Sequence, residues 1–204
     1  MYELNIQAPL AEFINIPADS HRERDEVYAL IRACIAQDRK AQRAMYERYS
    51  PVIYGIIKRY EYNDESAMEI LNDSFLKIFM KLSQFSFQGA FEGWMRKIAV
   101  NTITDHIRKN IKEREVIKSD GKEYDGYVEG NIVEGMAYKE LLKVVHTLPD
   151  MQRAVFNMYV FENYMHKEIS EALNINENNC RWYLNDARKR LKEKINALKG
   201  SKNG

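Results

Sequence analysis

The sequence predicts an all-α protein: two small helical domains joined by a flexible acidic linker. Three observations predict it. Apolar residues recur at helical spacing along two long stretches, no stretch alternates in the manner of a strand, and a glycine-bearing acidic segment, SDGKEYDGYVEGN, lies between the two stretches. A chain of 204 residues has room for one large domain or two small ones. The resulting division is an N-terminal extension over 1–24, a helical domain over 25–112, the linker over 113–135 and a second helical domain over 136–204.

Each element follows from its own pattern. Residues 1–24 hold Pro9, Pro17 and a polar run, and carry no legible function. Val27, Leu30, Ile31 and Ile35 mark a first helix. Asp38 is placed to cap a second, which carries Met45, Tyr49, Val52, Ile53, Ile56, Ile57 and Tyr60 on one side. Pro51 lies inside it and should kink or split it, because the ring removes a backbone hydrogen bond. A third helix runs from about Asp64 to Leu82, with Ala67, Leu71, Phe75, Ile78 and Leu82 forming an inward stripe. After the loop 83–89 a fourth covers about Ala90 to Arg108, with Phe91, Trp94, Met95, Ile98 and Thr102 on one stripe. Gly121, Gly126 and Gly130 among alternating acids make a poor helix and no core, which is why 113–135 reads as linker.

The net charge of +1 hides a segregation. From Arg181 to the end, eight Lys/Arg stand against Asp186 and Glu193, a net of +6; from Ser119 to Glu134, five acids stand against Lys122, a net of −4. For a polyanionic partner, charge sorted into blocks matters more than the total. Cys34 and Cys180 both lie in helical patterns and read as free thiols of a reducing cytosol. No signal peptide is evident, and no apolar run approaches the roughly 20 residues that cross a bilayer, so a cytoplasmic protein without membrane insertion is expected. His21, His106, His146 and His166 have no partners at metal-ligand spacing, and neither a phosphate-cradling glycine loop nor an activated nucleophile occurs. No catalytic residue, metal or cofactor is therefore expected.

The segment from Leu148 to Leu191 reads as a helix–turn–helix. Pro149 stands where a helix can start, and Val155, Phe156 and Tyr159 recur at helical spacing. His166 to Leu173 makes a short second helix with Ile169, Ala172 and Leu173 inward. Asn174-Ile175-Asn176 supplies a turn, and Asn176 caps a third helix bearing Arg181, Arg188, Lys189, Arg190, Lys192 and Lys194. In such units the last helix enters the DNA major groove; the competing account is a basic surface helix of an ordinary bundle. His166 reads as a phosphate contact or a cap.

Two further features point to partners. Opposite the packed stripe of the third helix lie Glu65, Glu69, Asn72, Asp73, Leu76 and Phe79. Either the apolar stripe is broad, or this is a docking surface, acidic at one end and apolar at the other. Second, Phe85, Phe87, Phe91 and Trp94 lie near Arg96, Lys97, Arg108 and Lys109. Aromatics beside cations suit unpaired nucleic acid, where rings stack on bases and Lys/Arg hold phosphates. The competing account is that Phe91 and Trp94 are simply core, and for Trp94 core is the favoured reading, whereas the period of two in a polar loop leaves at least one of Phe85 and Phe87 facing solvent. Asn101 and Asp105 can bond base edges or their neighbours.

From Asp38 to Leu191 the chain resembles the extracytoplasmic-function sigma factors. DRKAQRAMYERYSPVIYGIIKRY is similar to the family's opening helices, AMEILNDSFLKIFMKLSQF to its polymerase-docking helix, FEGWMRKIAVNTITDHIRK to its promoter-melting helix and LPDMQRAVFNMYVFENYMHKEISEALNI to the start of its promoter-reading domain. The melting-helix pattern of Trp, Ala-x-Asn, Asp and Arg is met by Trp94, Ala99-Val100-Asn101, Asp105 and Arg108. The resemblance implies that Glu69, Asn72, Asp73, Leu76 and Phe79 dock on the clamp helices of the largest subunit of core RNA polymerase. It implies that the loop 83–92, with Phe85 and Phe87, joins Asn101 to capture a flipped base of the melted minus-ten element, while Arg96, Lys97, Arg108 and Lys109 hold its backbone. The helix from Glu177, with Asn178, Asn179, Arg181, Trp182, Asn185, Arg188 and Lys189, would read the minus-thirty-five element beside His166. The acidic linker would thread toward the polymerase active-site channel. The flap of the second-largest subunit, promoter DNA and an anti-sigma factor are the further partners implied.

The chain departs from the family pattern in two places. Where the docking helix usually has Ala-Glu-Asp and then Gln, Met68, Glu69 and Asn72 fill the last three positions. Where the reading helix usually has Gly-Thr-Val, this chain has Asn178, Asn179 and Cys180, and Tyr183 and Asp186 take places often held by arginine. Asp186 near phosphates is repulsive unless paired, for example with Arg190 at i+4. The rival readings are a dimeric helix–turn–helix regulator binding duplex operators, and an adaptor that binds protein through the Leu76/Phe79 face.

Overall fold

The computed structural model describes residues 21–117 and 138–200, with side chains over 24–112 and 142–197. The extension through residue 20 and the acidic stretch 118–137, including its proposed path toward the polymerase channel, lie outside the described residues.

Among the described residues the first domain holds four helices: α1 (His21–Ile35), α2 (Arg39–Ile57), α3 (Asp64–Lys81), which continues into a 3-10 turn at Leu82–Gln84, and α4 (Phe91–Ile117). Their starts are set by short polar side chains. The Asp38 carboxylate accepts from the N–H groups of Lys40 and Ala41 at 2.7 and 3.2 Å, and the Asn63 amide oxygen accepts from Ser66 N–H at 2.9 Å. The predicted stripe of α3 is buried throughout, from Ala67 to Leu82. Ile31, Met45, Ile53, Ile57, Ile78, Met95 and Ile103 fill the centre of this domain with almost no exposure. Ile35, expected inward, is 38% exposed: it is the last residue of α1, and the adjacent Cys34, 2% exposed, takes the inward place.

The helix α2 is not split at Pro51. Pro51 is exposed, as is Glu47 one turn earlier, so the carbonyl that loses its donor can face water while Tyr49 and Ile53 on the other side stay buried. The helix α4 continues to Ile117, well past the Arg108 that its apolar stripe marks, since Ile107 is the last apolar residue packed on the core.

The second domain comprises α5 (Tyr138–His146), α6 (Asp150–Val160), α7 (His166–Leu173) and α8 (Glu177–Gly200). Asn174 has φ 54° and ψ 47°, the left-handed conformation that ends α7, and the Asn176 side chain accepts from Asn179 N–H at 2.7 Å to start α8. Val155, Phe156, Ile169, Leu173, Cys180, Leu184, Ala187 and Leu191 are buried together.

A set of polar contacts joins the two domains. The backbone just after α2 presents three carbonyls that no helical N–H completes. His146 Nε2 donates to Lys58 O at 2.7 Å, Asn157 Nδ2 to Arg59 O at 2.6 Å and Arg153 Nε to Tyr60 O at 2.8 Å. Beside them the fully buried carboxylate of Glu162 takes Arg59 on one oxygen and Arg96 on the other, the latter at 3.3 Å. A carboxylate removed from water needs such pairing to remain charged. Burial also holds the His146 imidazole at a pKa of about 4, with the cation of Arg153 acting in the same direction, so the ring is neutral near pH 7 and donates from Nε2.

Candidate nucleic-acid interface

Three surfaces collect the residues singled out in the sequence. The first is the outer face of α3. Leu76 is 60% exposed, and Met80, one turn further on, is 72% exposed. Glu69 and Asn72 are exposed on the same face. The face is thus a true apolar patch with an acidic end, not the edge of a broad core stripe. Phe79, expected beside Leu76, is instead half-buried against Phe75, with ring centroids 6.0 Å apart. Asp73 is held by His106 Nε2 at 3.0 Å, which ties α3 to α4. Met80 went unnoticed in the sequence, although its i+4 relation to Leu76 was a usable signal.

The second surface is the loop after α3 with the outer face of α4. Phe85 is a correction: it is 4% exposed and no base can stack on it. The 3-10 turn carries the chain back under the helices, and Phe85 packs among Phe91, Trp94 and Phe87 with centroids 5.2, 5.6 and 5.4 Å away. Phe87 is half-buried and has φ +57°, a costly conformation for a bulky residue. It is held there by Tyr28, whose hydroxyl donates to Phe87 O at 2.8 Å, and by the Arg32 guanidinium 5.4 Å from its ring.

On α4, Trp94, Lys97, Asn101, Asp105 and Arg108 share one face at helical spacing; Trp94 is half-buried and the other four are exposed. Asp105 receives Lys77 at 3.0 Å and pairs with Arg108, which leaves the Asn101 amide open between Lys97 and that cluster. Lys109 is exposed one residue further on. Arg96 does not share this face, since its guanidinium is turned to Glu162.

The third surface is α8. The Cys180, Leu184, Ala187 and Leu191 row is buried, and directly opposite it stand Asn178, Trp182, Asn185 and Lys189, all exposed. Asn179 and Arg181 flank that row, with Arg181 paired to Glu177 at 3.0 Å. Arg188 leans over the Tyr159 ring at 5.5 Å, and the His166 ring stacks on Tyr159 at 4.9 Å. His166 Nδ1 lies 3.4 Å from Cys180 Sγ, so one ring nitrogen faces inward. The capping role considered for His166 falls instead to Glu168, whose carboxylate accepts from Met165 N–H at 2.8 Å. Asp186 is paired as expected, with Arg190 at 2.7 Å and with Gln152 at 3.0 Å. The Arg190 hydrogen bond, then Gln152, holds its carboxyl below the usual carboxylate range. Cys34 and Cys180 are both buried and free, and burial pushes both thiols up, Cys34 to about 11. Among the described residues no helix is long and apolar enough to cross a membrane.

The first domain matches the family model for Sigma-70 region 2 over residues 45–113, and the second matches that for Sigma-70 region 4 over 138–191. An ECF RNA polymerase sigma-E factor of Haemophilus influenzae is 21% identical over 181 residues, covering 83% of this chain and 95% of the relative. The ECF RNA polymerase sigma factor SigM of Bacillus subtilis is 27% identical over 157 residues, covering 74% of this chain and 93% of the relative. Among solved structures, the sigma factor RpoE in complex with the anti-sigma factor NepR from Bartonella quintana is similar in fold, with a TM-score of 0.50 at 17% identity over 76% of this chain and 96% of that one. Two sigma regions in this order, at the full span of such relatives and on a fold of this kind, identify the chain as a member of the extracytoplasmic-function sigma factors.

Proposed function

We propose that this sigma factor divides its work among the three surfaces. The α3 face, with Glu69, Asn72, Leu76 and Met80, docks on the clamp helices of the largest subunit of core RNA polymerase, while Asp73 and Phe79 support the face from behind. The α4 face, with Lys97, Asn101, Arg108 and Lys109, takes the melted minus-ten strand, and Phe87 lies at its rim. Arg96 joins it only when freed from Glu162. The α8 face, with Asn178, Asn179, Arg181, Trp182, Asn185, Arg188 and Lys189, reads the minus-thirty-five element in the major groove, with the second-largest subunit's flap holding that domain. His166 supports this helix through Cys180 and Tyr159. The protein supplies recognition and strand separation, the polymerase supplies the chemistry, and both act in the cytoplasm where the promoter is. By analogy with the RpoE–NepR complex, an anti-sigma factor is the expected inhibitor.

The observation that carries this reading is the coexistence, on one small chain, of an exposed Leu76/Met80 patch with two separate faces that present amides and cations. A self-sufficient operator binder would need only the last of these. Pull-down with core polymerase followed by run-off transcription tests it. Leu76→Glu combined with Met80→Glu is expected to keep the helical content and lose at least tenfold in core binding; full binding by the double variant would refute the docking face.

A further inference from the structure

Trp182 is unusual for its position. It is the one large apolar side chain on the outer row of α8, it is 58% exposed, and it sits between two asparagines at i−4 and i+3. The polar neighbours on this helix are engaged: Glu177 with Arg181, Asp186 with Gln152 and Arg190, and Arg188 with the Tyr159 ring. The side-chain amides of Asn178 and Asn185 make no hydrogen bond to the described residues, and they share the row with Trp182 directly opposite the Cys180–Leu191 core row. The Trp182 ring meets Tyr183 in a T-shaped contact with centroids 5.2 Å apart, and more than half of the residue stays exposed to solvent.

Building on the major-groove reading of α8, we propose that Trp182 is a specificity-determining residue that contacts the 5-methyl group of a thymine in the upstream promoter element, with Asn178 and Asn185 reading adenines on either side of it. The groove chemistry supports the assignment. A thymine is the only base that offers an apolar group in the major groove, and a side-chain amide matches the N6 donor and N7 acceptor of adenine in a bidentate pair. Guanine is read best by Arg or Lys. In this row the cation, Lys189, comes a full turn after Asn185, deeper along the helix than the N-terminal residues that reach base edges in such units. The element read here is therefore A·T-containing, with one thymine sensed by shape.

The test uses the full-length protein with core polymerase on a promoter recovered by genomic run-off. Each thymine of the upstream element, on either strand, is replaced singly by deoxyuridine, which removes only the methyl group. For the wild type, one position is expected to lose roughly fourfold in initiation, the worth of one buried methyl group. Trp182→Ala is expected to initiate less well on the thymine template and to be indifferent to the replacement at that position, with Trp182→Phe intermediate. Asn178→Ala and Asn185→Ala are expected to lose their response to 7-deazaadenine at separate positions. Initiation by the wild type that is equal on thymine and deoxyuridine at every position overturns the assignment while leaving the sigma function intact. So does a Trp182→Ala variant that keeps the methyl response but loses polymerase binding, which would make the ring a protein contact. A wild type that supports no polymerase-dependent initiation on any promoter overturns both.

Discussion

At the scale of single residues, the backbone turns of the second domain rest on asparagine chemistry. Asn174 accepts a left-handed conformation that a side chain branched at Cβ resists, and Asn176 satisfies an N–H that begins α8. Asn174→Val should therefore destabilise the protein by about 1–2 kcal/mol in chemical denaturation, whereas Asn174→Gly should leave the midpoint nearly unchanged because glycine enters this region freely. Equal losses from both would mean that the side chain, not the backbone, matters at this turn. These two positions were legible in the sequence, since Asn in the gap between two apolar periods has few other uses. Phe85 and Phe87 were not. A period of two in a polar loop says that one ring points inward but not which one, and the outcome hangs on a 3-10 turn that no local pattern announces.

At the scale of elements, helix periodicity carried most of the information. The bounds of α7 and the inward stripe of α3 follow from it directly. It fails where an element extends beyond its packed length, as α4 does after Ile107, and where a proline sits on a solvent-facing turn, as Pro51 does in α2. The α4 face is the element most open to quantitative test. Lys97 is exposed in the same row as Asn101, so Lys97→Ala should weaken binding to melted promoter strand in the polymerase complex about equally for all sequences, and should reduce the slope of log affinity against log salt by about 1. Asn101→Ala should instead reduce discrimination among bases with the slope unchanged. A salt slope unaltered by loss of Lys97 would remove it from the phosphate contacts.

At the scale of the whole molecule, the decisive contacts join residues 66 to 103 positions apart in sequence, as in Arg96–Glu162 and Arg59–Glu162. No local period encodes such pairs, which is why the charge blocks were visible in the sequence and the polar seam between the domains was not. That seam has a pH dependence. The His146 pKa is depressed to about 4 in the packed state against an unperturbed value near 6.5. The separated state therefore binds the extra proton first, so the seam is fully stable above about pH 6.5 and loses stability as pH falls toward 4. Small-angle scattering of the free protein should show expansion over that window, and His146→Phe should flatten its pH dependence there. Glu162→Gln should expand the molecule already at pH 7.5, because one amide cannot serve two guanidinium groups; an unchanged radius of gyration would mean that the carbonyl contacts suffice without the carboxylate.

Glu162 and a phosphate group are rival acceptors for Arg96, and one guanidinium cannot satisfy both fully. A DNA strand that recruits Arg96 weakens its pairing with Glu162, and opening that pair raises the affinity for the strand by the same factor, since coupling between two binding equilibria is reciprocal. Substituting Glu162 should therefore make the protein bind single-stranded DNA more tightly by freeing Arg96, with Lys97, Asn101 and Arg108 left as they are.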